Sequence, residues 1–196
     1  MTRPREFEMD DAIDGALRRF WERGYDGASI SDLTEAMGIS RSSLYATFGS
    51  KQDLFLAVIE RYSLDHTAYV RDALAQPTAL GAAIYLLTAA AAAQTNPAYP
   101  RGCLEMQAAL ACSSEAEPIR SRLIARRKAA LNALAERFES ARRDGELPSE
   151  TDTLALARFL SLVAQGMAVQ AVDGATRDEL ETMREIALRS WPKLPL

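Results

Sequence analysis

The stretch that decides the fold runs from residue 28 to residue 51 and reads ASISDLTEAMGISRSSLYATFGSK. It contains two short helical segments, which begin directly after Ser29 and Ser40 and are separated by a Gly-Ile-Ser turn. Serine caps the free N–H groups of a helix start, and the first segment has a capping-box pattern ending in aspartate. Gly38 and Ile39 supply the small and the apolar residue that a right-angled helix pair needs at its turn. The spacing therefore predicts a helix-turn-helix.

The second helix of this motif is expected to project its N-terminal half into a DNA major groove. Leu44 and Phe48 lie four residues apart and can pack inward together. The side chains expected to stay exposed are those of Arg41, Ser42, Ala46 and Thr47. No acidic residue occurs between Glu35 and Asp53, a gap of seventeen residues in a chain that has 27 acids. The motif therefore carries a local positive charge that suits a phosphate backbone.

Helical periodicity extends beyond the motif and predicts an all-α fold of about nine helices. The first helix has its apolar residues at helical spacing and is expected to end at Gly24. The fourth helix begins after Ser50 and is expected to continue through Tyr69 and Val70. The later predicted helices cover residues 77–94, 103–113, 115–143, 151–173 and 177–191.

Composition, charge and hydropathy exclude several classes of protein. The 196 residues are 48% hydrophobic and 26% charged, which is typical of a globular protein of one large or two small domains. The net charge of -4 argues against a non-specific chromosome-organising protein, because such proteins bind mainly through charge. The N-terminus has no secretory signal pattern, and the most apolar segment, residues 79–93, is too short to span a bilayer. We therefore expect a cytoplasmic protein without a membrane partner.

The motif contains the strings Gly24-Tyr25, Ser29-Ile30, Asp32-Leu33, Gly38-Ile39-Ser40 and Leu44-Tyr45-Ala46-Thr47-Phe48-Gly49-Ser50-Lys51-Gln52-Asp53-Leu54. In these residues the chain resembles the DNA-binding domain of the TetR family of bacterial transcriptional regulators, over roughly residues 9–60. The resemblance implies a DNA-binding domain at residues 1–52 and a ligand-binding and dimerisation domain at 53–196. It also implies a sequence-specific regulator of double-stranded, palindromic operator DNA, most often a repressor that a small-molecule effector releases.

The family pattern further implies roles for single residues. Base contacts fall on Arg41, Ser42, Ala46 and Thr47. Phosphate contacts fall on Ser29, Ser43, Tyr45 and Lys51. Simpler alternatives stay open, since Tyr45 could belong to a half-buried core and Lys51 to an ordinary solvated first turn.

The helices after residue 53 are expected to hold the effector pocket and the homodimer interface. Segment 151–173 is apolar around much of its circumference, whereas one monomer core needs only one stripe of a helix. The predicted interface residues, the first three of them at its centre, are Phe159, Leu162, Met167, Met183 and Trp191. The candidate pocket residues, which could instead be ordinary core, are Tyr62, Tyr69, Tyr85, Met106 and Phe138.

The main alternative function is that of an all-α cytosolic ligand-binding protein or enzyme with an incidental helix-turn-helix. The sequence gives this alternative little support, because His66 is the only histidine and no glycine-rich phosphate loop is present. Cys103 and Cys112 are nine residues apart, which fits neither a zinc nor a dithiol motif and leaves a thiol sensor open. We therefore expect no catalytic site, no metal and no cofactor. The basic residues at 120–128 are expected to form a solvated helix face rather than a second nucleic-acid site.

Overall fold

A computed structural model describes residues 6–110 and 116–193, and within those ranges the chain forms ten α-helices and no strand. The all-α prediction is therefore confirmed. The helices are α1 (Glu6–Gly27), α2 (Ile30–Met37), α3 (Arg41–Phe48), α4 (Lys51–Asp65), α5 (Ala68–Leu74), α6 (Ala79–Gln94), α7 (Leu104–Leu110), α8 (Glu117–Arg143), α9 (Thr153–Val172) and α10 (Arg177–Leu188). The C-terminal end of the helix predicted at 103–113, and with it Cys112, lies outside the described residues.

The chain divides into two compact units. The first is built from Met1–Asp65 and Leu104–Leu123, and the second from His66–Cys103 and Ile124–Leu196. The whole of α4 belongs to the first unit, which therefore extends past residue 52.

In the first unit, α1 packs against α2, α4 and α7, and α3 packs against both α2 and α4. The core of this unit is built from large side chains with no exposed surface or almost none, among them Leu17, Phe20, Leu33, Leu44, Leu54 and Phe55. At Gly15 the backbones of α1 and α2 touch, because a Cβ atom there would lie 2.2 Å from the carbonyl oxygen of Ala36. Glycine at this position therefore fixes how closely the helix-turn-helix packs on α1.

The three serine caps form as the sequence predicts. At α2 the Ser29 hydroxyl accepts from the backbone N–H of Asp32 at 3.1 Å, and the Asp32 carboxylate accepts from the Ser29 N–H at 3.0 Å. Ser40 caps α3, and Ser50 caps α4 by accepting from the N–H of Asp53 at 3.1 Å. At the turn between α2 and α3, Gly38 has φ 65° and ψ 26°, a left-handed conformation that favours glycine.

The predicted fourth helix is wrong in its length. α4 ends at Asp65, and the separate helix α5 begins at Ala68 and carries Tyr69 and Val70. Tyr62 and Tyr69 are seven residues apart, a spacing that fits two full helical turns, so periodicity alone cannot reveal the break. The same break raises the helix number within the described residues from about nine to ten.

In the second unit, α6 is the central helix and packs against α5, α9 and α10. Its alanines allow close packing against a core that includes Leu87, Phe138 and Leu160. The Arg101 guanidinium donates to the carbonyl oxygens of Ala171 and Ala175, which closes the C-terminal end of α9.

The α9 helix has a large exposed apolar surface. It is the one described helix that is long and apolar enough to cross a membrane by length and composition alone, and 28% of that window is buried. Leu162 is 65% exposed and Phe159 is 37% exposed. Met167, in contrast, has no exposed surface and belongs to the core of the unit, so its predicted place at the centre of an interface is wrong. It lies on another side of α9 from the exposed Leu162, because the two are five residues apart, about 140° around the helix.

Candidate nucleic-acid interface

Two side chains anchor α3. Leu44 is fully buried and Phe48 is half-buried, so these two side chains hold the helix against the rest of the unit. All four residues predicted to contact bases are exposed: Ser42 and Ala46 lie opposite Leu44, and Arg41 and Thr47 flank it, each about 60° away around the helix. A helix that is held by two side chains and exposes mostly short ones elsewhere can enter a major groove.

The start of α3 carries three neighbouring hydroxyl groups. The Ser40 oxygen accepts from the Ser43 N–H at 3.0 Å, and it lies 2.8 Å from the hydroxyl oxygens of both Ser42 and Ser43. All three serines are exposed. Their hydroxyl protons can rotate, so Ser42 and Ser43 can exchange a bond within the cluster for one to DNA.

Tyr45 is exposed rather than half-buried in the core, with 40% of its surface accessible. The Arg41 guanidinium carbon lies 5.7 Å from the centre of the Tyr45 ring, one helical turn away on the same side of α3. A cation at this distance from an aromatic ring is attracted to it, so the two side chains support each other. The predicted base contact and the predicted phosphate contact therefore form one surface.

Lys51 is the first residue of α4 and is half-buried. Its Nζ atom lies 4.7 Å from the centre of the Tyr25 ring. Burial lowers the pKa of the Lys51 ammonium, and the Asp26 carboxylate offsets part of that effect. Across residues 36–52, Lys51 and Arg41 are the only charged side chains, and both are positive.

Ser29 is exposed, but its hydroxyl is already engaged. It donates to the Asp32 carboxylate at 2.7 Å, and this bond together with one from the Ser29 backbone N–H lowers the pKa of Asp32. A phosphate that approaches Ser29 would meet this carboxylate, and like charges repel. The predicted phosphate contact at Ser29 therefore has a carboxylate hydrogen-bonded to the contacting group itself, whereas the Asp26 carboxylate acts on Lys51 only through its charge.

Comparison with known proteins gives matches along most of the chain. Residues 12–58 match the family model of bacterial regulatory proteins of the tetR family, and residues 83–186 match the tetracyclin repressor-like C-terminal domain. The HTH-type transcriptional repressor ComR of Escherichia coli (strain K12) is 32% identical over 195 residues, which are 98% of this chain and 92% of ComR. The chain belongs to the TetR family of bacterial regulatory proteins.

Solved structures of family members agree with this assignment. A cysteine mutant of the TetR family transcriptional regulator CifR, complexed with a 26-base-pair double-strand operator DNA, is 42% identical with a TM-score of 0.91. The match covers 97% of this chain and 100% of that one. A TetR transcriptional regulator from Rhodococcus sp. RHA1 is 38% identical with a TM-score of 0.65 over 93% of this chain and 98% of its own. The TetR-family chain described here is accordingly a DNA-binding transcriptional regulator.

The candidate effector residues of this TetR-family regulator are divided between the units. Tyr62 and Met106 belong to the first unit, and Tyr69, Tyr85 and Phe138 belong to the second. Tyr62 is 3% exposed, and its hydroxyl accepts from the Leu104 N–H at 3.3 Å. Phe138 is fully buried with its ring edge-on to that of Trp191, while Tyr85 is 37% exposed. Core packing accounts for Tyr62 and Phe138, and the pocket stays a prediction.

Two features of the first unit escaped the sequence analysis. One is the Tyr25 ring under Lys51, whose signal is an aromatic residue directly after Gly24, the glycine that kinks α1. The other is Arg61 on α4, whose guanidinium lies 3.6 Å from Asp10, 3.3 Å from Asp14 and 2.7 Å from Asp65. The Asp10–Asp14 and Arg61–Asp65 spacings of four residues are the signal here, because such pairs share a helix face.

Proposed function

We propose that this regulator is a repressor that binds a palindromic operator as a homodimer and is released by a small-molecule effector. The observation that carries the proposal is the exposed surface of α3, in which Arg41 lies beside three short side chains and no acid occurs from residue 36 to residue 52. ComR and CifR, named as a repressor and as an operator-bound regulator, support it.

Base reading is assigned to Arg41, Ser42, Ala46 and Thr47. Arginine can donate two hydrogen bonds to a guanine edge, serine and threonine can bond to several bases, and the methyl groups of alanine and threonine fit the thymine methyl. Ser42 lies in a hydrogen-bonded cluster and Arg41 contacts a ring, so both side chains have a partner that can restrict them before DNA arrives. Ordering before binding reduces the entropy that the contact costs.

Phosphate contacts are assigned to Ser43, Tyr45 and Lys51, with Ser29 as the weakest of the predicted set. Contacts of this kind fix the register of the protein on the duplex and carry no sequence information. The Lys51 ammonium and the Tyr45 hydroxyl lie on neighbouring helices that pack together, α4 and α3. They can therefore support the base contacts from outside the groove.

The homodimer is supported by where exposed apolar side chains occur. Of eleven exposed large hydrophobic residues in the described ranges, six lie on the last two helices: Leu154, Phe159, Leu162, Val169, Val172 and Ile186. An exposed patch of this kind marks a protein contact. Met183 and Trp191 are half-buried and pack against the unit's core, so we assign them to the rim of the contact. A second copy is the proposed occupant, because a palindromic operator requires two-fold symmetry.

Release by an effector is assigned to the part of the chain after residue 52. A ligand that binds one conformation better shifts the population of the dimer, and a change in the separation of two DNA-binding units breaks the fit to both half-sites. We assign the protein no catalytic role and place it in the cytoplasm, where its DNA is.

Genomic selection tests this proposal. Fragments of the source genome that the purified protein retains are sequenced, and the recovered site is titrated in a fluorescence anisotropy assay at several salt concentrations. We expect a palindromic site, affinity that falls with salt, and at least about a thousandfold preference over a shuffled sequence. Equal affinity for the selected and shuffled sequences would rule out a specific regulator.

A further inference from the structure

Lys51 is held by a ring rather than by a carboxylate. Its Nζ atom lies 4.7 Å from the centre of the Tyr25 ring, within the roughly 6 Å at which a cation is attracted to an aromatic face. A carboxylate partner would neutralise the ammonium and occupy its N–H donors. A ring face does neither. The Asp26 carboxylate acts on the Lys51 charge but forms no ion pair with it among the described residues, so the N–H donors of Lys51 can bond to a phosphate.

The Tyr25 ring is itself fixed by two buried rings. It stacks on Phe20 with an interplanar angle of 11° and centroids 6.2 Å apart, and it meets Phe55 edge-on at 5.1 Å. Phe20 and Phe55 have no exposed surface and contact each other edge-on at 4.9 Å. Tyr25 is thus the outermost ring of a three-ring cluster formed by α1 and α4.

The backbone gives Tyr25 its place in this cluster. Gly24 interrupts the helical conformation of α1 with φ 71° and ψ 176°, values that favour glycine. Phe20 and Tyr25 are five residues apart and would lie about 140° apart on an unbroken helix. The kink brings the two rings together, and the second of them then lies beneath the first residue of α4.

We propose that Tyr25 is a positioning residue for DNA binding, whose ring holds the Lys51 ammonium at the start of α4 for a phosphate contact. The inference rests on the proposed function, in which Lys51 binds the operator backbone. Burial lowers the pKa of Lys51, which fits an ammonium held against apolar surface rather than extended into water. A lysine ordered before binding loses less side-chain entropy on contact with DNA.

A double-mutant cycle on the full-length protein tests the inference. Operator affinity and its salt slope are measured for wild type, Tyr25→Leu, Tyr25→Phe, Lys51→Ala and the Tyr25→Leu/Lys51→Ala double variant. We expect Tyr25→Leu to weaken binding about 2–5-fold, Tyr25→Phe to bind like wild type, and Tyr25→Leu to have no further effect once Lys51 is alanine. Lys51→Ala should reduce the salt slope by about one.

The possible outcomes distinguish a failure of the Tyr25 proposal from a failure of the proposed function. If Tyr25→Leu weakens binding equally in both backgrounds, the residue is only structural and the inference is overturned while DNA binding stands. If Tyr25→Leu does not weaken operator binding in the protein that retains Lys51, the inference is overturned as well. If wild type binds no selected fragment, the proposed function fails and the inference fails with it.

A measurement without DNA guards against a Tyr25→Leu variant that does not fold. In protein with ¹³C-labelled lysine, the ε-methylene protons of Lys51 should be shifted upfield by the Tyr25 ring current, and Tyr25→Phe should retain the shift. The signal that is missing from the spectrum of Lys51→Ala is the Lys51 signal. An unshifted Lys51 signal in wild type would overturn the inference whatever the variants do.

Discussion

The α3 surface and the α9 surface are both exposed, yet they differ in chemistry. α3 exposes a cation, hydroxyl groups and one methyl side chain around a single buried leucine. α9 exposes leucine, phenylalanine and valine, and Arg158 is its only charged side chain. Polar donors that stay in water match a polar, charged partner, whereas a cluster of exposed apolar side chains favours contact with a second apolar surface.

The comparison teaches that one chain divides recognition between two kinds of surface. In our account α3 supplies sequence reading, and α9 supplies the second copy that makes this reading strong enough. A single eight-residue helix contacts only one half-site, and linking two such helices raises affinity by roughly 10²–10⁴. Damage to either surface should therefore lower operator affinity, but only damage to α9 should change the oligomeric state.

The largest effect is expected from Leu162→Glu. Leu162 is 65% exposed in the proposed interface, so a buried carboxylate there should abolish the dimer and lower operator affinity at least about 100-fold. Sedimentation and anisotropy measure the two effects. Leu64→Glu is the matched control, because Leu64 is 69% exposed on α4 and should tolerate the charge. A Leu162→Glu variant that sediments as wild type would remove α9 from the interface.

Alanine at two helical glycines, Gly15 on α1 and Gly166 on α9, should have opposite effects on stability. Gly15→Ala places a methyl group 2.2 Å from the Ala36 carbonyl oxygen, so we expect the free energy of unfolding to fall by about 3 kcal/mol. At Gly166 on α9 a Cβ atom meets nothing of its own chain within 4 Å, so in the monomeric Leu162→Glu background alanine should raise the free energy of unfolding by about 0.5–1 kcal/mol. Urea denaturation measures both. A loss at Gly166 as large as at Gly15 would show that another surface packs there.

Tyr45→Phe should have a smaller effect that does not depend on sequence. It removes a hydroxyl assigned to a phosphate, so binding should weaken by about 0.5–1.5 kcal/mol on every DNA sequence tested. Tyr85→Phe, at a similarly exposed tyrosine of the second unit, should bind like wild type. A loss confined to the operator would instead make Tyr45 a base reader.

The smallest effect concerns two capping boxes, one in each unit. They are formed by Ser29 and Asp32 at the start of α2 and by Thr176 and Glu179 at the start of α10. Hydrogen bonds lower the pKa of Asp32, mainly through the Ser29 side chain, and that of Glu179, mainly through the Thr176 backbone. At pH values above its ordinary pKa, 3.8 for Asp32 and 4.5 for Glu179, each carboxylate therefore stabilises its helix. This stabilisation is lost as the pH falls through the lower pKa of the folded state. Carboxyl NMR titrations should give midpoints below those values. A midpoint at the ordinary value in either box would mean that the cap is open in solution.

Local signals allowed the helix-turn-helix to be predicted in detail. Ser29, Ser40 and Ser50 cap their helices and Gly38 makes the turn, because each of these features depends on residues within a few positions. The exposure of the four predicted base-contact residues agrees with the inward packing that the four-residue spacing of Leu44 and Phe48 predicts.

Features that depend on distant parts of the chain were not predictable. The break between α4 and α5 has no glycine or proline to signal it. Met167 and Leu162 both read as apolar positions of one helix, and only the packing of α6 and α10 decides which of them is buried. The contact of Lys51 with Tyr25 joins residues 26 positions apart, beyond the range of any helical spacing rule.

A specificity profile shows whether the exposed residues of α3 read bases. Affinities of wild type and Arg41→Ala are measured for the selected operator and for every single-base variant of it, with Arg71→Ala, an exposed arginine of the second unit, as the control. The account predicts that Arg41→Ala costs about 1–3 kcal/mol on the operator and removes discrimination at one position of each half-site, while Arg71→Ala changes neither. An Arg41→Ala profile parallel to that of wild type at every position would contradict it.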